Sequence, residues 1–168
     1  MDRLWAPWRV KYLTEVIDKT KGCVFCDIAK SKEDQKNFVF VRRTHCYAVL
    51  NLYPYNNGHS MVLPYRHVND LSKLTSEESQ ELFELLTYVK ELLDETLSPN
   101  GYNIGINLGR VAGAGFPGHI HVHIVPRWKG DANFMPVVAG VKVISQSMKM
   151  LYGKLVKAHQ KRIKKKTK

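Results

Sequence analysis

The chain lacks any apolar run close to the ~20 residues that a bilayer-spanning helix requires. Its opening residues, Met1-Asp-Arg-Leu-Trp-Ala-Pro-Trp8, have no apolar core of the kind found in a secretory signal. An intracellular, cytoplasmic protein with no membrane partner is expected. Cysteine is scarce: three in 168 residues, an odd number that offers no disulfide framework. Acidic residues stop at Asp131, whereas ten of the 26 Lys and Arg lie beyond it. The net charge of +11 therefore belongs mostly to the tail, with Lys161, Arg162, Lys164, Lys165, Lys166 and Lys168 at its end. Such a run reads as a solvated, frayed terminus, so nucleic acid is not an expected partner. Apart from this Lys-rich end there is neither internal repeat nor low-complexity segment.

The length suits one domain with a sizeable core. Residues 1–20, with Trp5, Trp8 and Tyr12 at spacings of three and four, read as an arm whose aromatics pack on the domain or on a second subunit. Residues 37–51 are rich in β-branched and aromatic side chains around a polar centre and read as a strand pair. Ser60 to Pro64 follows the turn signal Asn56-Asn57-Gly58 and reads as a third strand. Thr75-Ser-Glu-Glu78 has the capping-box pattern. Leu82, Leu85, Leu86, Val89, Leu92 and Leu93 then recur at helical spacing, until Pro99-Asn100-Gly101 ends the helix. Tyr102 to Leu108 reads as a strand, Gly109 to Gly118 as a glycine-rich loop and His119 to Pro126 as another strand. Ile144 to Ile163 reads as an amphipathic helix carrying the basic tail. The expected fold class is α+β, a mostly antiparallel sheet with one long helix and a C-terminal basic helix.

The most informative stretch is Gly118-His119-Ile-His121-Val-His123-Ile-Val-Pro126-Arg127-Trp128. Period-two alternation puts the imidazoles on one face and Ile120, Val122 and Ile124 on the other. Three imidazoles make a poor core face, because each needs a polar partner. Two chemistries want such a row: a metal, which neutral imidazole ligates well, or nucleophilic attack by one ring assisted by its neighbours. The preceding loop offers backbone N–H groups with little side-chain obstruction, as an anion cradle needs. Together they favour phosphate chemistry. A metal bound by His119, His121 and His123 together is disfavoured, since alternate strand residues stand ~6.5 Å apart and converge poorly on one ion.

These residues carry a family resemblance. His119-Ile-His121-Val-His123-Ile-Val resembles the signature of the histidine triad superfamily, and Gly58-His59-Ser-Met-Val-Leu-Pro64 is similar to that family's upstream segment. Pro126 to Phe134, with Asp131 and Asn133, resembles the branch of diadenosine tetraphosphate phosphorylases. The resemblance implies a histidine-triad fold over residues 21–143, with residues 144–168 as an appended basic helix. It also implies a homodimer. It assigns His121 as the nucleophile forming a covalent nucleotidyl-histidine, with His123 and His59 lining the same phosphate. Asn51 falls where relatives bind the ribose hydroxyls, and Asn107 near a phosphate-contacting amide. Many relatives carry Gln six residues before the nucleophile, where this chain has Gly115. Backbone amides around Gly113, Gly115, Gly118 and His119 are the expected replacement. The substrate implied is a dinucleoside polyphosphate, cleaved with inorganic phosphate or water as acceptor. A binding module without turnover is the competing reading.

Cys23-x-x-Cys26 alone lacks the four ligands of structural zinc. With His67 and His119 it resembles the zinc site of bacterial histidine-triad proteins, leaving His121 free to react. His45, Cys46 and His159 are expected to be structural or exposed.

Overall fold

The computed structural model describes residues 22–131 and 146–166; the aromatic arm, Asn133 and Phe134 lie outside the described residues. The chain runs through α1 (Val24–Lys30), α2 (Asp34–Asn37), β1 (Val39–Arg42), β2 (Cys46–Leu50) and β3 (Ser60–Pro64). A 3-10 turn (Leu71–Lys73) leads to α3 (Ser76–Leu97), β4 (Gly101–Ile106), β5 (Val122–Arg127) and α4 (Met148–Lys166). The strands form one antiparallel sheet in the order β1-β2-β3-β5-β4.

Alternation along the strands divides the apolar residues between two faces. Cys46, Ala48 and Leu50 of β2, Val62 of β3, and Val122 and Ile124 of β5 join α3 and α4 in one core cluster. Tyr47 and Val49, with Met61 and Leu63, pack on the other face with Phe25 of α1. His123 alternates with Val122 and Ile124 and therefore faces the α1 side.

Helix α3 forms as its capping box predicts. The Thr75 hydroxyl accepts from the Glu78 amide, and the Glu78 carboxylate accepts from the Thr75 amide. Its six apolar positions from Leu82 to Leu93 are all buried, each contributing about 2 kcal/mol relative to exposure. Helix α4 packs on α3 and β1 through Leu151 and Leu155. Arg162 pairs with Glu91 and Glu95 of α3, and the Tyr88 hydroxyl lies 2.8 Å from His159 Nδ1. The basic tail is thus a docked helix through residue 166, and His159 is half-buried rather than exposed. The exposure expected for it reflected only the charge of its neighbours.

Two further departures bear on the site. Strand β5 begins at Val122, so His119 and His121 precede the ladder instead of lying in it. Pairing between β3 and β5 ends at Val62–Val122, and the Ile120 amide donates instead to the Val68 carbonyl, at 2.7 Å. Helix α1 has no side-chain N-cap to announce it. Its C-terminal end is secured from a distance: Arg42 of β1 donates to the Ile28, Ala29 and Ser31 carbonyls and to Asp34.

Candidate active site and metal cluster

The sheet register brings Asn51, His59 and His123 together. Leu50 pairs with Ser60, so the next residues outward, Asn51 and His59, face each other, with the Asn51 amide donating to the His59 carbonyl at 2.9 Å. Met61 pairs with His123, which makes His59 and His123 diagonal neighbours on one face. Gly58 is needed just before His59. Its φ is +78°, and a Cβ there would sit 2.6 Å from Leu97 Cδ1.

Hydrogen bonds fix the imidazole tautomers. The Tyr55 amide donates to His59 Nδ1 at 3.0 Å, so His59 carries its proton on Nε2. That N–H donates to His123 Nδ1 at 2.9 Å, leaving His123 Nε2–H as a donor. His121 Nδ1 donates to the His119 carbonyl at 2.8 Å, so its Nε2 keeps the lone pair. The His121 and His123 ring centres are 4.8 Å apart and nearly perpendicular. Burial pushes the His121 pKa below the ordinary 6.5, outweighing the opposing bond to the His119 carbonyl. A neutral imidazole with a defined lone pair stands beside a paired-histidine donor. That arrangement can attack an electrophilic phosphorus and bind its oxygens.

His119 faces the other way. Its Nε2 donates to the Pro64 carbonyl at 2.9 Å, turning Nδ1 toward Cys23 Sγ at 3.4 Å and Cys26 Sγ at 3.6 Å. Cys26 Sγ lies 3.3 Å from His67 Nδ1, and all four donor atoms fall within 4.8 Å of one another. Tetrahedral zinc with bonds of about 2.3 Å to sulfur and about 2.1 Å to nitrogen puts neighbouring donors roughly 3.6 Å apart, so the cluster fits a metal. The orienting bond to Pro64 is the kind of partner that fixes a metal-binding tautomer. Burial, followed by its neighbour Cys23, pushes the Cys26 thiol pKa up when no metal is present. Among the described residues this is the one group of donors arranged for a metal. His119, His121 and His123 do not converge on a common ion.

The remaining expected residues occupy a looser periphery. Asn107 directly follows β4, whose last pair is Ile106 with Val122, the residue after His121. In the glycine loop, the Gly113 amide donates to the Arg110 carbonyl in a turn where Gly113 has φ +91°. Gly118 lies against His67. His45 and Cys46 are structural, their amides donating to Glu81.

Three neighbours were missed. Phe25 packs against His121 with ring centres 5.1 Å apart, and Tyr55 stacks on His59 at 4.7 Å. The Asp131 carboxylate accepts from Arg127, the Trp128 amide and Asn56, reaching the turn before His59. Tyr55 had a readable signal, an aromatic four residues before His59. Phe25 and Asp131 reach the site only through the fold.

Comparison with known proteins agrees with this geometry. An AP-4-A phosphorylase of Mycobacterium tuberculosis is 42% identical over 156 residues, covering 89% of this chain and 80% of that one. The asymmetrical bis(5'-nucleosyl)-tetraphosphatase of Schizosaccharomyces pombe is 41% identical over 93 residues, covering 55% of this chain and 50% of that one. A Zn-bound histidine triad family protein from Mycobacterium smegmatis shares the fold, with a TM-score of 0.68 at 24% identity, covering 85% of this chain and 96% of that one. The HIT domain family model matches residues 32–130, and the chain belongs to the HIT family.

Proposed function

We propose that the protein is a dinucleoside tetraphosphate phosphorylase working through a nucleotidyl-His121 intermediate. The observation that carries this reading is the tautomer of His121: Nδ1–H is held by the His119 carbonyl, and Nε2 has the lone pair. In the first step the Nε2–P bond forms while the P–O bond to the departing nucleoside triphosphate breaks. That leaving group is stable as an anion, so no strong general acid is required. His123 Nε2–H and backbone amides near Gly115 and Gly118 stabilise the non-bridging oxygens. In the second step an oxygen of inorganic phosphate attacks the same phosphorus, the P–N bond breaks and His121 returns to neutrality. From diadenosine tetraphosphate the products are ATP and ADP. Asn51 holds the ribose, and Asn107 contacts phosphate.

Cys23, Cys26, His67 and His119 hold a structural zinc, whose chemistry is to tie α1 to the β5 approach while both thiols stay deprotonated. The protein works in the cytoplasm as a homodimer. In support of a second subunit, the sheet ends on β4, where Ile104 is exposed, with Phe83 and Leu108 also exposed.

The deciding experiment incubates the protein with diadenosine tetraphosphate, with and without inorganic phosphate. ADP and ATP formed only with phosphate are expected. AMP and ATP formed without phosphate would replace the phosphorylase with a hydrolase. His121→Ala should lower turnover by at least about 10³-fold while nucleotide still binds, and unchanged turnover would end the covalent mechanism.

A further inference from the structure

Helix α4 carries no acidic residue. Lys154, Lys157, Lys161 and Lys165 on it are all exposed. At 100° per residue these four fall within an arc of about 80°, and they span about 16 Å along the axis. The helix is held in place on the adjoining flank by Leu151 and Leu155, 2% and 0% exposed, and by Arg162 on Glu91 and Glu95. A free Lys run is usually solvated and mobile, but these four lysines are presented in register on a docked helix. They lie over the sheet face opposite the one His123 points from.

We propose that this stripe is a sequence-independent binding surface for the phosphate backbone of nucleic acid. α4 itself adds no negative charge to the stripe, and Glu95 of α3 borders it only near Lys161 and Lys165. Four cations within about 16 Å suit a duplex that carries a phosphate every ~1.7 Å of its axis. Two other partners fit less well. The apolar face of α4 is spent on α3 and β1, and the exposed Met150 and Ile163 that remain are isolated, too little apolar surface to insert into a membrane. Protein interfaces are depleted in Lys at their centres, and this surface is almost wholly Lys. Lysines without Arg or aromatic companions on the stripe predict no base readout.

The test uses the full chain and a short mixed-sequence DNA duplex, followed by fluorescence anisotropy across a KCl series. Four phosphate contacts predict a slope of log Kobs against log salt of about −3.6. Replacing Lys154, Lys157, Lys161 and Lys165 by Gln should weaken binding at least tenfold at about 50 mM KCl and flatten the slope. Turnover of dinucleoside tetraphosphate should be unchanged, since the stripe is remote from His121. The fourfold Lys→Arg variant should bind like the parent, which covers the case in which the Gln variant loses helicity. Binding that survives the Gln substitutions with helicity intact would overturn the proposal. So would loss of binding in the Arg variant, or capture by phosphatidylserine vesicles that duplex does not compete away.

Discussion

His121 illustrates how much a single proton position decides. Were its Nδ1 to lose the His119 carbonyl, the ring could present either nitrogen, and the proposed nucleophile would be correct only part of the time. Asp131 acts at one remove from the same chemistry. Its carboxylate accepts from Arg127, the Trp128 amide and Asn56, and the Asn56 carbonyl in turn accepts from the His59 amide. The guanidinium of Arg127 is the main reason its pKa falls from 3.8 to about 2. A carboxyl held below its unfolded pKa stabilises the fold fully above that value and loses the contribution as pH drops toward the folded one. Stability should therefore decline between about pH 4 and pH 2, and Asp131→Asn should flatten that decline in urea unfolding. As a positioning residue, Asp131 should also raise KM for dinucleoside tetraphosphate several-fold on substitution, with a smaller change in kcat. A fall in kcat alone would deny it that role.

Among the elements, α4 depends on a neutral histidine. His159 Nδ1 is hydrogen-bonded to the Tyr88 hydroxyl, whose ring lies under the guanidinium groups of Arg43 and Arg162. Burial first, and then Arg43, lower the His159 pKa below 6.5. Protonation would add a third cation beside Arg43 and Arg162, only partly offset by Glu91 and Glu95. A histidine with a depressed pKa stabilises the docked state above its unfolded value and loses that contribution as pH falls below about 6.5. Hydrogen-exchange protection over residues 148–166, relative to the intrinsic rate, should fall between pH 7.5 and pH 5.5. His159→Gln, which keeps an acceptor without titrating, should remove most of that change. Exchange that is pH-independent after correction for its intrinsic rate would refute the account.

For the whole molecule, the proposed zinc couples segments far apart in sequence: α1, the loop after β3 and the approach to β5. Metal binding of this kind is folding free energy. Stripping zinc with a strong chelator should lower Tm by several degrees and reduce turnover with it, although the metal takes no part in the reaction. Cys26→Ser should lower the zinc content below the expected value of about one per chain. A purified protein that contains no zinc, or one whose Tm is unchanged after its zinc is removed, would remove the site. No helix among the described residues is long and apolar enough to cross a membrane, in line with the absence of apolar runs in the sequence.

Local pattern was enough to reveal α3, from its capping box and leucine spacing, and the strands, from their alternation. The histidine row was equally plain, as were the four metal donors once the resemblance was recognised, because these features repeat over a few residues or follow a known spacing. Other features depend on contacts between distant segments. The departure of His119 and His121 from the strand rests on a bond to Val68, and α1 is closed by Arg42 rather than by a cap of its own. Phe25 and Asp131 join the site through packing and register. The division of labour along one short stretch was settled in three dimensions too. His119 and His121 point apart because the Pro64 carbonyl claims one ring and the His119 carbonyl the other, and no periodicity in the sequence carries that choice.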